Sequence, residues 1–302
     1  MAPAPDGALA VLAVRSKFGP MSETTLPNAD QAAFWNDAGG RTWVELNDLL
    51  DHQIEPIGHR ALEALAPRSG ERLLDVGCGC GQTTLALAER VGPTGQVTGL
   101  DISAPMLDLA RRRAADEGVG NVRFIAADAQ THAFQAHAFD ALFSRFGVMF
   151  FDDPATAFHN LRDALAPGGR LAFVCWRALA ENAWMSTPLQ AALRRLPPPP
   201  PPTPGAPGPF AFADRDRVLA ILGSAGFADI GLEPVNMPVG GNSLEDSVRL
   251  ALRVGPLGAL LRENPEAAPK VIDDIRVVLS SRLSDGAVWM DGAVWVVTAR
   301  RP

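Results

Sequence analysis

Three glycines and an aspartate stand close together at residues 75–81, within the stretch LLDVGCGCGQTT. Asp75 ends an apolar run, and Gly77, Gly79 and Gly81 follow at every second position. Glycine loses more conformational entropy on folding than any other residue, so this spacing indicates a turn whose main chain must lie close to something else. A buried strand, a glycine-rich turn and a helix are typical of a nucleotide-binding site. We therefore expect a ligand at this turn.

The spacing of these glycines differs from that of the dinucleotide-binding fingerprint. In Gly-x-Gly-x-x-Gly, the N-terminus of the helix receives a pyrophosphate, whereas here the third glycine comes one residue early and Asp75 precedes the first. A carboxylate at this place favours a ligand with a cationic amine and a sulfonium over one with a diphosphate. A tight turn with a purely structural role is the alternative.

Two more aspartates follow the next predicted strands. Asp101 comes 26 residues after Asp75, in VTGLDIS, and Asp128 follows in VRFIAADAQ. A carboxylate at Asp101 can accept hydrogen bonds from both hydroxyls of a ribose. A carboxylate at Asp128 can accept a hydrogen bond from the exocyclic amine of adenine, and the backbone of Ala129 can assist. For each aspartate, a role in capping or in a loop is the alternative.

In combination, these residues resemble the motifs of class I S-adenosylmethionine-dependent methyltransferases, and the resemblance covers most of residues 35–180. Within that class, the chain is most similar to bacterial small-molecule methyltransferases that resemble the ubiquinone/menaquinone C-methyltransferases. The resemblance implies S-adenosyl-L-methionine as the cofactor and a small molecule as the methyl acceptor. It does not imply whether oxygen, nitrogen or carbon is methylated.

The resemblance also implies a set of cofactor-binding residues. Ser144 and Arg145 would lie beside the methionine part of the donor, Phe146 near the acceptor, and Ile102 and Met106 against the adenine ring. The full set is Asp75, Gly77, Cys78, Gly79, Gly81, Thr83, Asp101, Ile102, Met106, Asp128, Ala129, Ser144 and Arg145.

No catalytic base can be named from the sequence. Transfer from a sulfonium chiefly requires that the acceptor be held in line with water excluded, and a base is needed only for a protonated acceptor. His52 and His59 are candidates if the N-terminal region folds over the site, whereas a surface or core role is expected for His159. Trp43 and Trp184 are candidate walls of an apolar acceptor pocket, with packing as the alternative.

Strands that alternate with helices must position these residues. The sequence predicts strands at 72–76, 96–100, 122–126, 139–143 and 170–175, and helices at 82–90, 105–116 and 154–165. This alternation predicts an α/β fold with a mostly parallel sheet and helices on both faces. The family resemblance implies a Rossmann-like sheet of seven strands, in which the final hairpin makes one strand antiparallel. N-terminal helices and a lid-like insertion complete the predicted architecture.

Changes in composition divide the chain into four regions. Residues 1–30 are predicted to be a disordered extension, in which Met21 is an alternative start, and 31–66 a helical cap with a break near Gly39-Gly40. Residues 67–180 are the predicted S-adenosylmethionine-binding core. Residues 181–302 are predicted to form a lid or substrate region with a Pro-rich loop at 197–209, helices within 244–283 and the final strands.

Composition excludes several other functions. With 27 basic and 34 acidic residues, the net charge of −7 disfavours nucleic acid as a partner. The three cysteines form no C-x-x-C pair, and no carboxylate cluster follows the fifth strand, so no metal is expected. No run is apolar enough to span a membrane, which favours a cytoplasmic location. The oligomeric state stays open.

Two other functions remain as alternatives. A nicotinamide-dependent oxidoreductase is favoured by Asp101 but opposed by the glycine spacing and by the absence of tyrosine, which excludes a catalytic Tyr-Lys pair. A donor-binding partner subunit without activity of its own is the other alternative, because no base can be assigned.

Overall fold

The computed structural model describes residues 27–199, 201, 203 and 205–302. Most of the predicted N-terminal extension, including Met21, lies outside these residues. Three positions of the Pro-rich loop, at 200, 202 and 204, also lie outside them.

The strands of the described residues form one mixed sheet. They are β1 (Arg72–Val76), β2 (Gln96–Asp101), β3 (Val122–Ala126), β4 (Phe139–Arg145), β5 (Leu165–Trp176), β6 (Ala228–Asn242), β7 (Leu283–Ser284) and β8 (Ala287–Arg300). Their order is β3-β2-β1-β4-β5-β8-β6, and β7 pairs with β8. Strands β1 to β5 run parallel, while β8 is antiparallel to both β5 and β6. The predicted α/β fold is confirmed, and the two-residue β7 is an addition to the seven expected strands.

Eleven α-helices of the described residues surround the sheet. They are α1 (Ala29–Asn36), α2 (Ala38–Glu45), α3 (Asn47–Leu65), α4 (Gln82–Val91), α5 (Ala104–Asp116), α6 (Pro154–Ala164), α7 (Ala183–Ala192), α8 (Arg215–Ser224), α9 (Leu244–Arg253), α10 (Gly255–Glu263) and α11 (Ala268–Ser280). Ser103 and Asp153 cap α5 and α6 by accepting bonds from Met106 N and Thr156 N, which satisfies otherwise unpaired amides of the first turn.

The predicted helix break near Gly39-Gly40 lies two residues before Gly39. Both glycines lie inside α2, and the break between α1 and α2 falls at Asp37. A Cβ on Gly39 would lie 2.4 Å from the ring of Phe34, and one on Gly40 would lie 2.0 Å from the carbonyl oxygen of Trp35. These glycines therefore allow α2 to pack against the end of α1, a contact that the sequence pattern does not reveal.

The principal hydrophobic core lies between the sheet and its helices and includes residues from both ends of the chain. Phe158 on α6 is fully buried, and its ring centroid lies 5.6 to 6.4 Å from those of Phe151, Phe173, Phe212 and Phe227. A second apolar cluster joins α7, α9, α10 and α11 and contains Leu189, Val248, Leu257, Val271 and Ile275. The division into cap, core and lid stays a prediction.

The topology places the ends of several strands at one edge of the sheet. Strands β1, β2, β3 and β4 are parallel neighbours, so their carboxyl ends share that edge. Ligands of open α/β sheets bind outside these ends. Helix α3 packs against β4, β5 and β6 and brings the N-terminal region to the same side.

Candidate active site

A cavity of about 130 Å³ opens at the carboxyl ends of β1, β2, β3 and β4. The predicted site residues that line it are Gly77, Cys78, Gly79, Thr83, Asp101, Ile102, Met106, Asp128, Ala129 and Arg145. Asp75, Gly81 and Ser144 are buried but are not among the residues that line it. A cofactor-binding role for these three residues stays a prediction.

Asp75 joins β1 to the first turn of α4. Its side chain is fully buried, and Oδ2 accepts hydrogen bonds from the hydroxyls of Thr83 and Thr84, both at 2.7 Å. Burial raises the pKa of Asp75 to about 6, although these two hydroxyls and the charge of Arg145 act in the opposite direction. Asp75 thus holds the glycine turn in place.

The raised pKa predicts that Asp75 makes stability depend on pH. Because the folded carboxyl binds its proton more tightly than the unfolded one, the unfolding free energy should decrease as pH rises from about 4 to about 6. Relative to Asp75→Asn, the unmodified chain should lose about 2 to 3 kcal/mol over this window. Urea unfolding of both proteins at each pH measures it, and a pH-independent difference would contradict the assigned shift.

The glycines of the turn have different surroundings. Gly77 has φ +67°, and a Cβ there would lie 2.6 Å from the Cα of Gly147, so two backbones meet at this point. A Cβ on Gly81 would lie 2.8 Å from the Cβ of Ala110 on α5. Gly79, with φ +55°, would meet only the terminal methyl of Met106, at 2.9 Å. Since Met106 lines the cavity, Gly79 is the glycine at which added volume would enter the ligand space.

Asp101 fixes the turn and still faces the cavity. Oδ2 accepts a bond from Gly79 N and Oδ1 one from Ser103 N, both at 2.8 Å. Burial raises the pKa of Asp101, while the bonds from Ser103 and Gly79 act in the opposite direction. Each carboxylate oxygen has a second lone pair. Two acceptor positions thus remain for the hydroxyls of a ligand.

Asp128 is bonded to a residue from the region that was predicted to be a disordered extension. Its Oδ1 accepts bonds from Asn28 Nδ2 and from Gln130 N, both at 2.9 Å. Asn28 Oδ1 in turn accepts a bond from Asp152 N at 2.6 Å. Asn28 lines the cavity, and no local sequence signal points to this role.

Helix α1 is held over the cavity by hydrogen bonds to the loop after β2. The carbonyl of Trp35 accepts a bond from the Ser103 hydroxyl at 2.6 Å. Asn36 donates to the carbonyl of Ile102 and accepts from Ala104 N, both at 2.9 Å. The ring of Trp35 then contacts two aromatic neighbours, with ring centroids 5.8 Å from Trp43 and 5.1 Å from Phe150. All three rings line the cavity.

Arg145 ends β4 and forms an ion pair with Asp51 of α3, both lining the cavity. Its guanidinium donates to Asp51 Oδ1 at 2.9 Å and also to the side chain of Gln82. Arg113 of α5 donates to the other oxygen of Asp51 at 2.8 Å. Sequence reasoning missed Asp51; the available signal was an acid between the apolar residues Leu50 and Ile54 of a helix.

The histidines named from the sequence do not line this cavity. His52 is exposed and bonds to the carbonyl of Gly241 at 3.2 Å. His59 and His159 are exposed, each 3.5 to 3.7 Å from an acid one helical turn away. Trp184 lines a second cavity instead. The structure therefore provides no histidine base at the cavity among the described residues.

The cavity thus combines a glycine turn with acids at the ends of two strands and an arginine at the end of a third. Residues 73–169 match the family described as "Methyltransferase domain". This segment is therefore similar to methyltransferase domains. The resemblance to class I S-adenosylmethionine-dependent methyltransferases is confirmed by this match, which favours that interpretation over a nicotinamide-dependent oxidoreductase.

Two relatives illustrate the similarity of the methyltransferase domain in sequence. Aklanonic acid methyltransferase DauC of Streptomyces sp. strain C5 is 39% identical over 118 residues, which are 39% of this chain and 54% of that protein. The ubiquinone/menaquinone biosynthesis C-methyltransferase UbiE of Pseudomonas savastanoi pv. phaseolicola is 40% identical over 128 residues, 42% of this chain and 50% of that protein. The chain therefore spans about half the length of the curated relatives it matches.

Similarity in structure extends beyond the methyltransferase domain. The crystal structure of YcgJ from Bacillus subtilis aligns with a TM-score of 0.55 at 17% identity, covering 80% of this chain and 98% of that one. At this identity the likeness concerns the fold alone. It includes more of the chain than the 73–169 match.

Two features are absent from the part of the chain that the structure describes. No group of three or more His, Cys, Asp and Glu side chains in this part of the chain has the arrangement of a metal site. None of its helices has both the length and the apolar character that a membrane span requires.

Proposed function

We propose that this chain transfers a methyl group from S-adenosylmethionine to a small-molecule acceptor. The observation that carries the proposal is the shared cavity, which is lined by Gly79, Asp101, Asp128 and Arg145 at the ends of four neighbouring strands. The methyltransferase-domain match over residues 73–169 supports the same reaction class.

The residues of the cavity fit the proposed donor. Asp101 retains two lone pairs for the ribose hydroxyls beside its bonds to Gly79 and Ser103. Asp128 would accept the adenine amine, and Ile102 and Met106 offer apolar surface for its ring. The absence of a side chain at Gly79 leaves room for the donor, because only the flexible end of Met106 lies near.

The reaction requires little from the protein except that it align the two reactants and exclude water from them. S-adenosylmethionine supplies a methyl group that a sulfonium already activates. The aromatic wall of Trp35, Trp43 and Phe150 would exclude water and hold an apolar acceptor. Phe146 lines the same cavity, and its ring stacks on Trp176 with centroids 4.2 Å apart. Holding two reactants in line contributes about 7 to 11 kcal/mol in well-oriented systems.

We further propose a small apolar or aromatic acceptor and a cytoplasmic location. The first follows from the composition of the aromatic wall. The second is supported by three buried cysteines that remain free thiols, since disulfides are characteristic of oxidising compartments. One of the two relatives is named a C-methyltransferase and the other an aklanonic acid methyltransferase, a name that does not give the methylated atom, so that atom is left to experiment.

Calorimetric titration with S-adenosylmethionine, followed by transfer of an isotopically labelled methyl group to a cell extract, tests the proposal. Asp101→Ala should weaken donor binding by about 1.5 to 3 kcal/mol, or roughly 10- to 150-fold, because charge-assisted hydrogen bonds are lost. Asp108→Ala, on exposed helix surface, is the matched control and should bind normally.

The three outcomes separate the candidate functions. Donor binding with a labelled small molecule supports the methyltransferase. Donor binding without any labelled product supports the donor-binding partner subunit. Absence of donor binding in the unmodified chain would overturn the proposed function altogether.

A further inference from the structure

We propose that a second cavity, about 30 Å³ in volume, binds the neutral carbonyl group of a small apolar molecule. This cavity lies between helix α3, the strands β6 and β8, and the helices α7, α9, α10 and α11. None of the described residues that line it also lines the cavity proposed for the donor. The proposal therefore does not depend on the proposed function.

The walls of the second cavity carry no charge. Most of the side chains that line it are apolar, and they include Met185, Pro188, Val239, Leu250, Leu257 and Met290. Among the described residues of this lining there is no Asp, Glu, His, Lys or Arg. Because an unpaired charge is costly in such surroundings, a neutral ligand is favoured over a carboxylate, a phosphate or an ammonium.

Two hydrogen-bond donors interrupt this apolar lining. Gln53 and Trp184 both line the cavity, and Nε2 of Gln53 and Nε1 of Trp184 are buried without a hydrogen-bond partner among the described residues. Gln53 as a whole is only 7% exposed. Buried donors without partners destabilise a fold and are rare in native proteins. Two of them at one cavity indicate a ligand that brings a hydrogen-bond acceptor.

The two donors define the chemical group that the cavity would bind. An indole N–H can only donate, so the partner of Trp184 must be an acceptor. A carbonyl oxygen has two lone pairs and can accept from the indole and from the amide of Gln53 at once. No buried side-chain oxygen of the described lining lacks a partner. A group that only accepts therefore fits better than a water molecule, whose two protons would also need partners.

The size of the cavity restricts the ligand to a small molecule. Its volume of about 30 Å³ has room for a carbonyl group, since one water molecule occupies about as much of the liquid. Met185 and Met290 are unbranched and flexible, so their movement can make room for the carbons beside the carbonyl and let its oxygen reach the donors.

Packing places the second cavity beside the first. The ring of Trp184 lies 5.1 Å from that of Trp176, which stacks on Phe146 of the first cavity. Helix α3 also borders both cavities, with Ile54 at the first and Gln53 at the second. Two sources of the carbonyl are therefore to be distinguished, the methyl acceptor itself and a separate small molecule.

Nuclear magnetic resonance of the indole N–H groups tests the proposal on the full chain. The probe is butanone, and its control is 2-methylbut-1-ene, a hydrocarbon with a CH2 group in place of the carbonyl oxygen. Butanone should shift the Trp184 indole signal, identified by its absence in Trp184→Phe, downfield and saturably. The hydrocarbon should cause no comparable shift. No saturable shift with butanone, or an equal shift with both probes, would overturn the proposal.

Titration of a Gln53→Leu variant tests the second donor. Its Kd for butanone should be about 2- to 12-fold higher than that of the unmodified chain, because one neutral hydrogen bond is lost. Gln190→Leu, the same change at an exposed position of α7, should bind butanone normally. An unchanged affinity in Gln53→Leu would contradict a site built from two donors.

Urea unfolding without any ligand provides a second measurement on the same variants. Gln53→Leu replaces an unpaired amide with an apolar side chain of similar size, so it should not lower the unfolding free energy. A loss larger than that of Gln190→Leu would mean that Nε2 of Gln53 already has a partner, such as a bound water molecule. That result would also overturn the proposal.

Methyl-transfer assays then distinguish the two sources of the carbonyl, and this step alone rests on the proposed function. A higher KM for the labelled acceptor in Gln53→Leu would assign the carbonyl to the acceptor, whereas an unchanged KM would assign it to a separate small molecule. Failure of the unmodified chain to transfer methyl groups would overturn the proposed function, while the butanone titrations would still decide the second site.

Discussion

The Gly79→Val variant is expected to bind S-adenosylhomocysteine about 100-fold more weakly than the unmodified chain, or not measurably, while it remains folded. The Cβ added at this position would lie 2.9 Å from the terminal methyl of Met106. Met106 has a flexible side chain that can yield, so the fold tolerates the change. The displaced methyl and the valine would both occupy the cavity. Calorimetric titration measures the affinity, and circular dichroism the fold.

Gly118→Val is the matched control for this experiment. Gly118 also has positive φ, +67°, but a Cβ there would meet nothing within 4 Å. The control therefore shares the backbone strain of placing valine in the left-handed region without filling the cavity. Equal donor affinity in the two variants would show that Gly79 has no part in the site.

The second large effect is expected on stability. Arg170→Met should lower the unfolding free energy by about 3 to 5 kcal/mol, because it removes the cationic partner of the Glu71 carboxylate, whose side chain is only 14% exposed. Arg170 donates to both oxygens of Glu71 at 2.8 Å and to the carbonyls of Leu65 and Ala66 at 2.7 Å. It thereby joins β5 to the end of α3 and to the residue before β1. Urea unfolding at neutral pH measures the loss.

The unfolding free energy lost in Arg170→Met is also expected to depend on pH. Burial alone would raise the pKa of Glu71, but the hydrogen bonds from Arg170 and from Arg68 N lower it overall. A lowered carboxyl pKa contributes stability that is present above the unfolded pKa of about 4.3 and is lost as pH falls further. The deficit of Arg170→Met should therefore shrink in acid.

An exposed arginine provides the control for this second prediction. Arg41→Met removes the ion pair with Asp37, whose two side chains are 75% and 71% exposed, and should cost less than about 1 kcal/mol. A loss from Arg170→Met no larger than that from Arg41→Met would contradict the anchoring role of Arg170.

Much of the fold was predictable because its signals are local. The alternation of apolar runs with helical periods identified the strands from β1 to β5 and the helices between them. Since parallel strands place their carboxyl ends at one edge, Asp101 and Asp128 were expected to lie near the glycine turn, and the family resemblance added Arg145. All three line one cavity with Gly79. Each of these signals lies within a few residues of the strand end that it marks.

Two elements differed from the prediction because tertiary packing decided them. Gly39 and Gly40 were interpreted as helix breakers, but they lie within α2, where Phe34 and Trp35 approach too closely for a side chain. The short strand β7 forms only by pairing with β8. Propensity does not describe such contacts, because the partner determines the result.

What the sequence by itself determined is therefore the sheet, its glycine turn and the acids that follow its strands. Only the tertiary structure showed that Asn28 bonds to Asp128, 100 residues away, and that Asp51 bonds to Arg145, 94 residues away. The sequence does not distinguish polar residues of an N-terminal helix that face water from those that face a cavity. Their role depends on which distant strand end they meet, and that is fixed by the packing of α1 and α3 across the edge of the sheet.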